Sequence, residues 1–290
     1  AVDTDNLGEY NANFKRFQKH IKPGKEGFLK SAYSAYRERS LGLGAMGFHS
    51  YLQSRRLPFE GIYATGFNHK AFKYIKGQSI KASQRLADER GEAPDISGSG
   101  NRNAHLLAVA PNASSSIICG GTSPSIEPYR ANVYTHKTLS GSFQVKNRHL
   151  ENLLADKKLN KTELKDVWKD IAGHEGSVQH LDILTDEEKE IFKTANELDQ
   201  MWIVEHAAQR QDYICQAQSV NLFFTIPTAT EKQEVHDEYM QYVNDVHWYG
   251  MNKLKSLYYF RTNAARNAEN VNLKVQRIKL DDVECIACEG

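Results

Sequence analysis

The sequence predicts an α/β fold, and three apolar segments carry this prediction. Residues 219–227 and 254–260 are rich in β-branched and aromatic residues, as in strands, and residues 235–246 between them have apolar side chains at helical intervals. A strand, a helix and a strand of these lengths are typical of a parallel βαβ unit with a right-handed crossover. A third apolar run, residues 105–110, predicts another buried strand.

The amino-terminal part predicts a peripheral segment followed by helices. Residues 1–30 are polar and basic. Residues 31–55 have helical spacing of apolar side chains, and a second helix is predicted from Asn68, as its N-cap, to Gly91, as its end. Residues 93–100 are rich in glycine and serine and form a flexible break before the predicted strand.

The middle of the chain predicts a hairpin and helices. Residues 131–146 read as two strands joined by a turn at residues 139–142. The charged residues 151–170 predict a solvated helix, and apolar residues recur at helical intervals over residues 191–206.

Composition limits the classes of function. The 290 residues carry 37 basic and 36 acidic side chains, a formal charge of +1, so electrostatics do not indicate nucleic acid or an anionic membrane as partner. The length suits one large domain or two smaller ones. Four cysteines are typical of a reducing compartment, and we expect the cytoplasm, or the host cytoplasm if a phage encodes the chain. Neither a signal core nor a membrane span is evident.

Two apparent motifs do not fit their usual context. Gly42, Gly44 and Gly47 match the dinucleotide-binding pattern, but a polar, helix-like stretch precedes them where that pattern needs a hydrophobic strand. We therefore interpret these glycines as points of close helix packing. His174 and His180 resemble a zincin pair, but the second histidine is not at the fourth position after the first, so no metal site is predicted.

The loop after the third apolar run has the composition of a phosphate site. Ser114, Ser115 and Ser116 follow Pro111 at the expected start of a helix, where hydroxyls and unsatisfied backbone N–H groups can together hold a phosphate. A serine-rich helix cap is the alternative. Both interpretations remain open from these residues alone.

Adjacent tyrosines, Tyr258 and Tyr259, stand in the last predicted strand. Neighbouring strand residues point to opposite faces, so the ordinary expectation is one buried ring and one ring near the surface. A relay of charge between the two rings needs a local departure from regular strand geometry. The residues by themselves do not decide between these two interpretations.

The last two cysteines, Cys285 and Cys288, lie in an acidic terminus and have three interpretations: a redox pair, half of a zinc site, or incidental thiols. Zinc needs four ligands, and Cys119 and Cys215 stand alone. The surrounding carboxylates should raise the thiol pKa values, which makes the pair a slow attacker. A carrier of reducing equivalents therefore fits better than an independent oxidoreductase.

Taken in order, these residues resemble the carboxy-terminal part of the large (alpha) subunit of class I ribonucleotide reductase of the T4-like phage or bacterial type. The resemblance runs from about Arg39 to the end of the chain. Its motifs are Arg39-Ser-Leu-Gly-Leu-Gly44, Arg102-Asn103, Ala110-Pro-Asn-Ala-Ser-Ser-Ser116, Ser125-Ile-Glu-Pro128, Leu257-Tyr-Tyr259 and the terminal cysteine pair.

For fold and activity, the resemblance implies the second half of a ten-stranded α/β barrel over residues 31–263, then a flexible tail over residues 264–290 that ends in a redox-active dithiol. The implied activity is radical reduction of ribonucleoside diphosphates to deoxyribonucleotides. No cofactor would be bound by this chain, because the radical arises at a metal in the small subunit.

Site roles follow from the same resemblance. Tyr259 would be the outer and Tyr258 the inner station of a radical relay from the small subunit. Cys285 and Cys288 would re-reduce an active-site disulfide and be recharged by thioredoxin or glutaredoxin. The residues implied to bind substrate phosphate are Pro111, Asn112, Ala113, Ser114 and Ser115.

The chain departs from the family pattern in several places. Ala113 stands where the family usually has an acidic residue, and the tail cysteines are closer together than in many bacterial enzymes. No cysteine here lies in an Asn-x-Cys-x-Glu sequence, where the family forms its thiyl radical, and the chain does not begin with Met. We therefore expect a fragment or a separately encoded half, completed by an amino-terminal half. The alternatives are a free-standing thiol-disulfide oxidoreductase and a non-catalytic nucleotide-binding assembly module.

Overall fold

The computed structural model describes residues 20–24, 26–138, 141–227 and 231–263. The helices are α1 (Lys30–Glu38), α2 (Phe48–Ser54), α3 (Ile62–Arg90), α4 (Ala113–Ile118), α5 (Arg148–Asp156), α6 (Lys161–Gly173), α7 (Asp186–Ile191), α8 (Gln200–Gln211) and α9 (Gln233–Lys253), with a 3-10 turn at Pro94–Ile96. The strands are β1 (Val133–Thr138), β2 (Gly141–Lys146), β3 (Leu222–Thr225) and β4 (Phe260–Asn263).

Extended segments from four parts of the chain lie side by side and parallel. A bridge between Leu43 and Leu107 joins the first two, and one between Val109 and Gln218 joins the second to the third. The third segment continues into β3, which pairs in parallel with β4. This parallel array, with helices in its connections, is part of an α/β barrel.

The predicted βαβ unit is confirmed. β3 and β4 are parallel neighbours, and α9 makes the crossover between them. The run at residues 105–110 is also extended, and Leu107 and Val109 are buried within it. Apolar runs that are buried on both faces read in sequence as short strands, which is why these segments were predictable.

The single helix predicted over residues 31–55 is wrong. α1 ends at Arg39, which has the left-handed φ of 49°, and the chain is then extended until Gly47. Gly44 lies so close to the second segment that an added Cβ would be 2.8 Å from the carbonyl oxygen of Ala108. Gly42 and Gly44 therefore allow neighbouring extended segments to approach, and the predicted role in helix packing is wrong.

Asn68 is not an N-cap, because α3 begins earlier, at Ile62. The Asn68 amide is buried, donates to the carbonyl oxygen of His206 at 2.9 Å and accepts from Nη1 of Arg210 at 2.9 Å. The predicted end of the helix is confirmed, since Gly91 caps it with a φ of 80°. The Asn68 side chain is thus satisfied by tertiary hydrogen bonds, whereas the preference of Asn for N-caps predicted it at the start of the helix.

The region predicted as a hairpin and a charged helix forms a second core. β1 and β2 are antiparallel, from Val133↔Lys146 to Thr138↔Gly141, which confirms the hairpin. The charged segment is divided into α5 and α6 and is not simply solvated. Its buried side chains are Leu150, Leu153, Leu154, Trp168 and Ile171.

The helix predicted over residues 191–206 is likewise interrupted. α7 ends at Ile191, and α8 starts at Gln200 after Asp199, whose side chain caps it by accepting the N–H of Met201. No helix in the described ranges is long and apolar enough to cross a membrane. The predicted tail, with Cys285 and Cys288, lies outside the described residues.

Candidate functional site

The tyrosine pair lies at a break in the ladder between the third and fourth segments. Leu222 donates its N–H to the carbonyl oxygen of Tyr259 at 3.0 Å, as the Leu222↔Phe260 register requires. The carbonyl oxygen of Val220, however, accepts from the N–H of Tyr258 at 3.0 Å. In a regular parallel ladder Tyr259 would make both bonds, so two residues here share the place of one, which is a β-bulge.

The bulge brings both phenol rings together. The centroids of Tyr258 and Tyr259 are 4.1 Å apart, with an angle of 51° between the ring planes. Regular alternation would send the side chains to opposite faces, but both rings are nearly half exposed, at 45% and 47%. The departure from strand geometry that a relay needs is therefore present.

Neighbouring groups affect the charge state of the pair. A hydrogen bond with Tyr259 and the negative charge of its phenolate raise the pKa of Tyr258, against a smaller opposing effect of Arg261. The Arg261 guanidinium lies 5.0 Å from the centroid of the Tyr259 ring. The shift is away from neutral pH, so Tyr258 is a protonated phenol there, as tyrosines ordinarily are.

Two buried side chains support the bulge from behind. Asn221 Oδ1 accepts the N–H of Tyr259 at 3.1 Å, and Asn221 Nδ2 donates to the carboxylate of Glu127. Burial raises the pKa of Glu127, whereas Arg130, Asn221 and Arg261 lower it. Sequence reasoning gave neither Asn221 nor Glu127 a role of its own. The available signal was Glu127, an acidic residue between Ile126 and Pro128 in one of the motifs that indicated the family.

Tyr258 also lines a cavity of about 350 Å³. The second and third extended segments also line this cavity, and their lining residues include Ala110, the residue before the predicted phosphate loop. The cavity is lined by Ala108, Val109, Ala110, Gln216, Ala217, Gln218, Ser219, Ser256 and Tyr258. Tyr258 and the extended segment that leads to the predicted phosphate loop thus line the same cavity.

In the predicted phosphate loop, Pro111 and Asn112 are half-buried, and Asn112 has a left-handed φ of 52° as the N-cap of α4. Ala113, Ser114 and Ser115 are exposed in the first turn. Ser116 is instead buried and donates its hydroxyl to the carbonyl oxygen of Ala113 at 2.7 Å. First-turn N–H groups and two hydroxyls are therefore available to an anion at this end of the strand.

The histidines set aside as a zincin pair lie close together after all. α6 ends at Gly173, so they do not share a helix face, but their rings are 3.7 Å apart. His180 Nε2 lies 3.1 Å from the Asp170 carboxylate, and His174 Nδ1 lies 3.0 Å from the Asp170 carbonyl oxygen. The three side chains are within 4.8 Å of one another and exposed, and their mutual hydrogen bonds account for the arrangement.

The remaining cysteines have separate surroundings. Cys215 Sγ accepts the N–H groups of Leu106 and Leu107 at 3.1 and 3.2 Å, next to the second segment. Cys119 is exposed just after α4, and within the described residues neither is in a disulfide. The structure does not bring them together as zinc ligands.

Comparisons with known proteins agree with this geometry. Residues 12–99 and 93–260 match the family model described as ribonucleotide reductase, barrel domain. The chain is 42% identical over 265 residues to the ribonucleoside-diphosphate reductase large subunit of Invertebrate iridescent virus 3, covering 90% of this chain and 40% of the relative. A putative large subunit of Frog virus 3 is 43% identical over 261 residues, covering 90% and 44%.

A solved structure gives the same result. The class Id ribonucleotide reductase alpha subunit of Actinobacillus ureae superposes with a TM-score of 0.70 at 38% identity, covering 86% of this chain and 44% of that one. The chain spans less than half the length of these three relatives. Because the family model covers most of its residues, this chain belongs to the ribonucleotide reductase barrel-domain family.

Proposed function

We propose that this chain is the barrel part of a ribonucleoside-diphosphate reductase large subunit, in which it carries radical equivalents to a nucleotide held at the cavity. The observation that supports this most is the bulged tyrosine pair, since one of its rings lines the cavity next to the predicted phosphate loop. Paired phenols in contact can exchange a hydrogen atom, which a purely structural strand does not require.

The relay step is an exchange between two phenols. An oxidised Tyr259, as the outer station, takes one electron and one proton from Tyr258, so that the Tyr259 O–H bond forms as the Tyr258 O–H bond breaks. The ring separation of 4.1 Å supports a direct transfer. The phenol of Tyr258 carries the proton that it must give up, as tyrosines do at neutral pH.

Substrate binding would use the loop that begins at Pro111. Its first-turn N–H groups and the hydroxyls of Ser114 and Ser115 could hold the diphosphate, as expected for an anion at a helix start. Ala113 would contribute only its backbone N–H, because it lacks the side chain of the acidic residue that the family usually has at this position.

Other components complete the reaction. We propose that a metal-generated radical comes from a small subunit and that the thiyl cysteine is supplied by an amino-terminal part, since no Asn-x-Cys-x-Glu sequence is present here. Cys285 and Cys288 would deliver reducing equivalents from thioredoxin or glutaredoxin. The overall reaction is then two-electron reduction of a ribonucleotide, with the dithiol oxidised to a disulfide.

Replacement of Tyr258 by Phe tests the relay. Phe preserves the ring packing but has no O–H bond to break, so we expect turnover in the assembled enzyme to be abolished while the thermal midpoint changes little. Nucleotide reduction and thermal unfolding are the measurements. Tyr74→Phe is the matched control, because Tyr74 is 67% exposed on α3, away from the cavity lining. Full turnover in Tyr258→Phe would refute the relay.

A further inference from the structure

We propose that Asn221, held by Glu127, is a positioning residue that fixes the tyrosine bulge and thereby sets the contact between the two rings. The inference rests on the proposed function, because it assigns these residues a role in the relay. It concerns side chains that do not touch the substrate and act through Tyr259.

The first step is the hydrogen bond that the bulge leaves unmade. In the bulge the N–H of Tyr259 loses its partner on the third segment, since the carbonyl oxygen of Val220 bonds Tyr258 instead. A backbone N–H that is shielded from water and has no partner destabilises the conformation that leaves it so. Asn221 Oδ1 accepts this N–H at 3.1 Å, and Asn221 is only 2% exposed. The amide therefore stabilises the bulged register over the regular one.

The second step is the orientation of the Asn221 amide. If it were flipped, its NH₂ group would face the Tyr259 N–H and its oxygen would face the Glu127 carboxylate, donor against donor and acceptor against acceptor. Because Glu127 accepts from Nδ2, the oxygen points to Tyr259. Glu127, which is 4% exposed, thus selects the orientation that supports the bulge.

The third step is the charge of Glu127. Burial raises the pKa of Glu127, because a buried carboxylate is costly, and the nearby cations Arg130 and Arg261 partly offset this by favouring its charged form. Arg261 also lies over the Tyr259 ring. Side chains of this group therefore contact both the backbone and the ring of Tyr259.

Removal of the Asn221 amide tests the proposal in the full-length large subunit assembled with its small subunit. We expect Asn221→Ala to lower kcat about 100-fold, the effect of misplacing a reacting group by about 1 Å. KM for the ribonucleoside diphosphate should not change, because the hydrogen bonds of the Asn221 side chain are to Glu127 and Tyr259 and not to the predicted phosphate loop. Hydrogen exchange at the Tyr259 amide should become faster.

An exchange of the two polar groups gives a rescue. Asn221→Asp alone places two carboxylates together and should be as poor as the alanine variant. Adding Glu127→Gln lets the amide at 127 donate to the carboxylate at 221, which still accepts the Tyr259 N–H. We expect the double variant to recover kcat to within about tenfold, or roughly 1.4 kcal/mol, of the original.

A matched control separates positioning from general stability. Gln200 is also buried, and its Oε1 accepts the N–H of Phe223 at 2.8 Å on the same strand. Gln200→Ala should lower the thermal midpoint by a similar amount yet leave kcat within about twofold of the original, because its side chain bonds Phe223 and neither tyrosine.

The results distinguish the inference from the proposed function. If Tyr258→Phe is inactive but Asn221→Ala turns over normally, the positioning role is wrong and the relay stands. If Tyr258→Phe is active, the relay itself fails, and with it the role of Asn221. A loss of kcat in Gln200→Ala equal to that in Asn221→Ala, or a folded double variant without rescue, would also overturn the inference.

Discussion

At the scale of single residues, the main core holds a histidine that is neutral because of its surroundings. His206 is fully buried, with its ring edge-to-face against Phe48 and Phe59. Its Nε2 lies 2.9 Å from the carbonyl oxygen of Phe59, whereas its Nδ1 has no partner among the described residues. Burial lowers the pKa of His206 to about 4, because the charged imidazolium would lose its hydration, and the positive charge of Arg210 lowers it further.

This lowered pKa predicts acid sensitivity. The unfolded chain takes up the proton near pH 6.5 and the folded chain only near pH 4, so the stabilising effect is complete above 6.5 and is lost between these values as pH falls. The variant His206→Gln keeps a donor for the Phe59 carbonyl oxygen but has no imidazole to protonate. When the pH falls from 7 to 5, we expect its unfolding free energy to decrease by about 2 kcal/mol less than that of the original protein. Urea unfolding at both pH values measures this.

A control histidine checks that the effect belongs to burial. His247 is exposed on α9, and His247→Gln is the same substitution outside the core, with which the change in His206→Gln is compared. His49, also buried with its pKa lowered to about 3, would keep part of the acid sensitivity in both variants. The same pH dependence in His206→Gln as in the original would contradict the assignment.

At the scale of elements, the parallel array depends on close backbone approach. A methyl group at Gly44 would lie 2.8 Å from the Ala108 carbonyl oxygen, in the segment that leads to the predicted phosphate loop. Because backbone cannot give way as a side-chain tip can, we expect Gly44→Ala to destabilise the fold by about 1–3 kcal/mol. Thermal and denaturant unfolding measure the change.

Replacement of a glycine inside a helix should have the opposite effect on stability. Gly77 lies inside α3, with nothing within 4 Å of an added Cβ. Gly77→Ala should stabilise the protein by about 0.5–1 kcal/mol, because alanine loses less backbone entropy in a helix. Equal effects of the two substitutions would show that the approach at Gly44 is not tight.

At the scale of the whole molecule, two cores are joined by buried amides. Asn147 Nδ2 donates to Gln53 Oε1 at 2.9 Å and to Asn132 Oδ1 at 2.9 Å, which connects α2 of the main core to the hairpin of the second core. Amide pairs of this kind must be satisfied where they are buried, so they fix the relative placement of the elements they join.

The reactive side chains in this sequence predict whether the chain can act alone. The 290 residues contain no Asn-x-Cys-x-Glu sequence, so we expect no nucleotide reduction by this chain alone. Activity should arise only when the amino-terminal part and the small subunit are present, in an assay of deoxyribonucleotide formation with each component omitted in turn. Turnover by the isolated chain would contradict the proposed division of the reactive groups.

The sequence by itself determined the elements whose signals are local. The βαβ unit, the hairpin and the end of α3 at Gly91 followed from apolar periodicity, turn residues and a glycine cap, and the motifs around Pro111 and Tyr258 indicated the family. These signals act between near neighbours in the chain, where spacing alone sets which side chains share a face.

Only the tertiary structure decided what depends on distant residues. Local spacing predicts a helix around Gly44, but the chain is extended there because it packs against Ala108. Local rules predict Asn68 as an N-cap, but its side chain instead bonds Arg210 inside the fold. The bulge that joins the tyrosine rings follows from bonds to the strand at residues 220–222, far from the pair in sequence. Hydrogen bonds and contacts across the fold override local preference at these positions, because buried polar groups must find partners wherever the chain brings them.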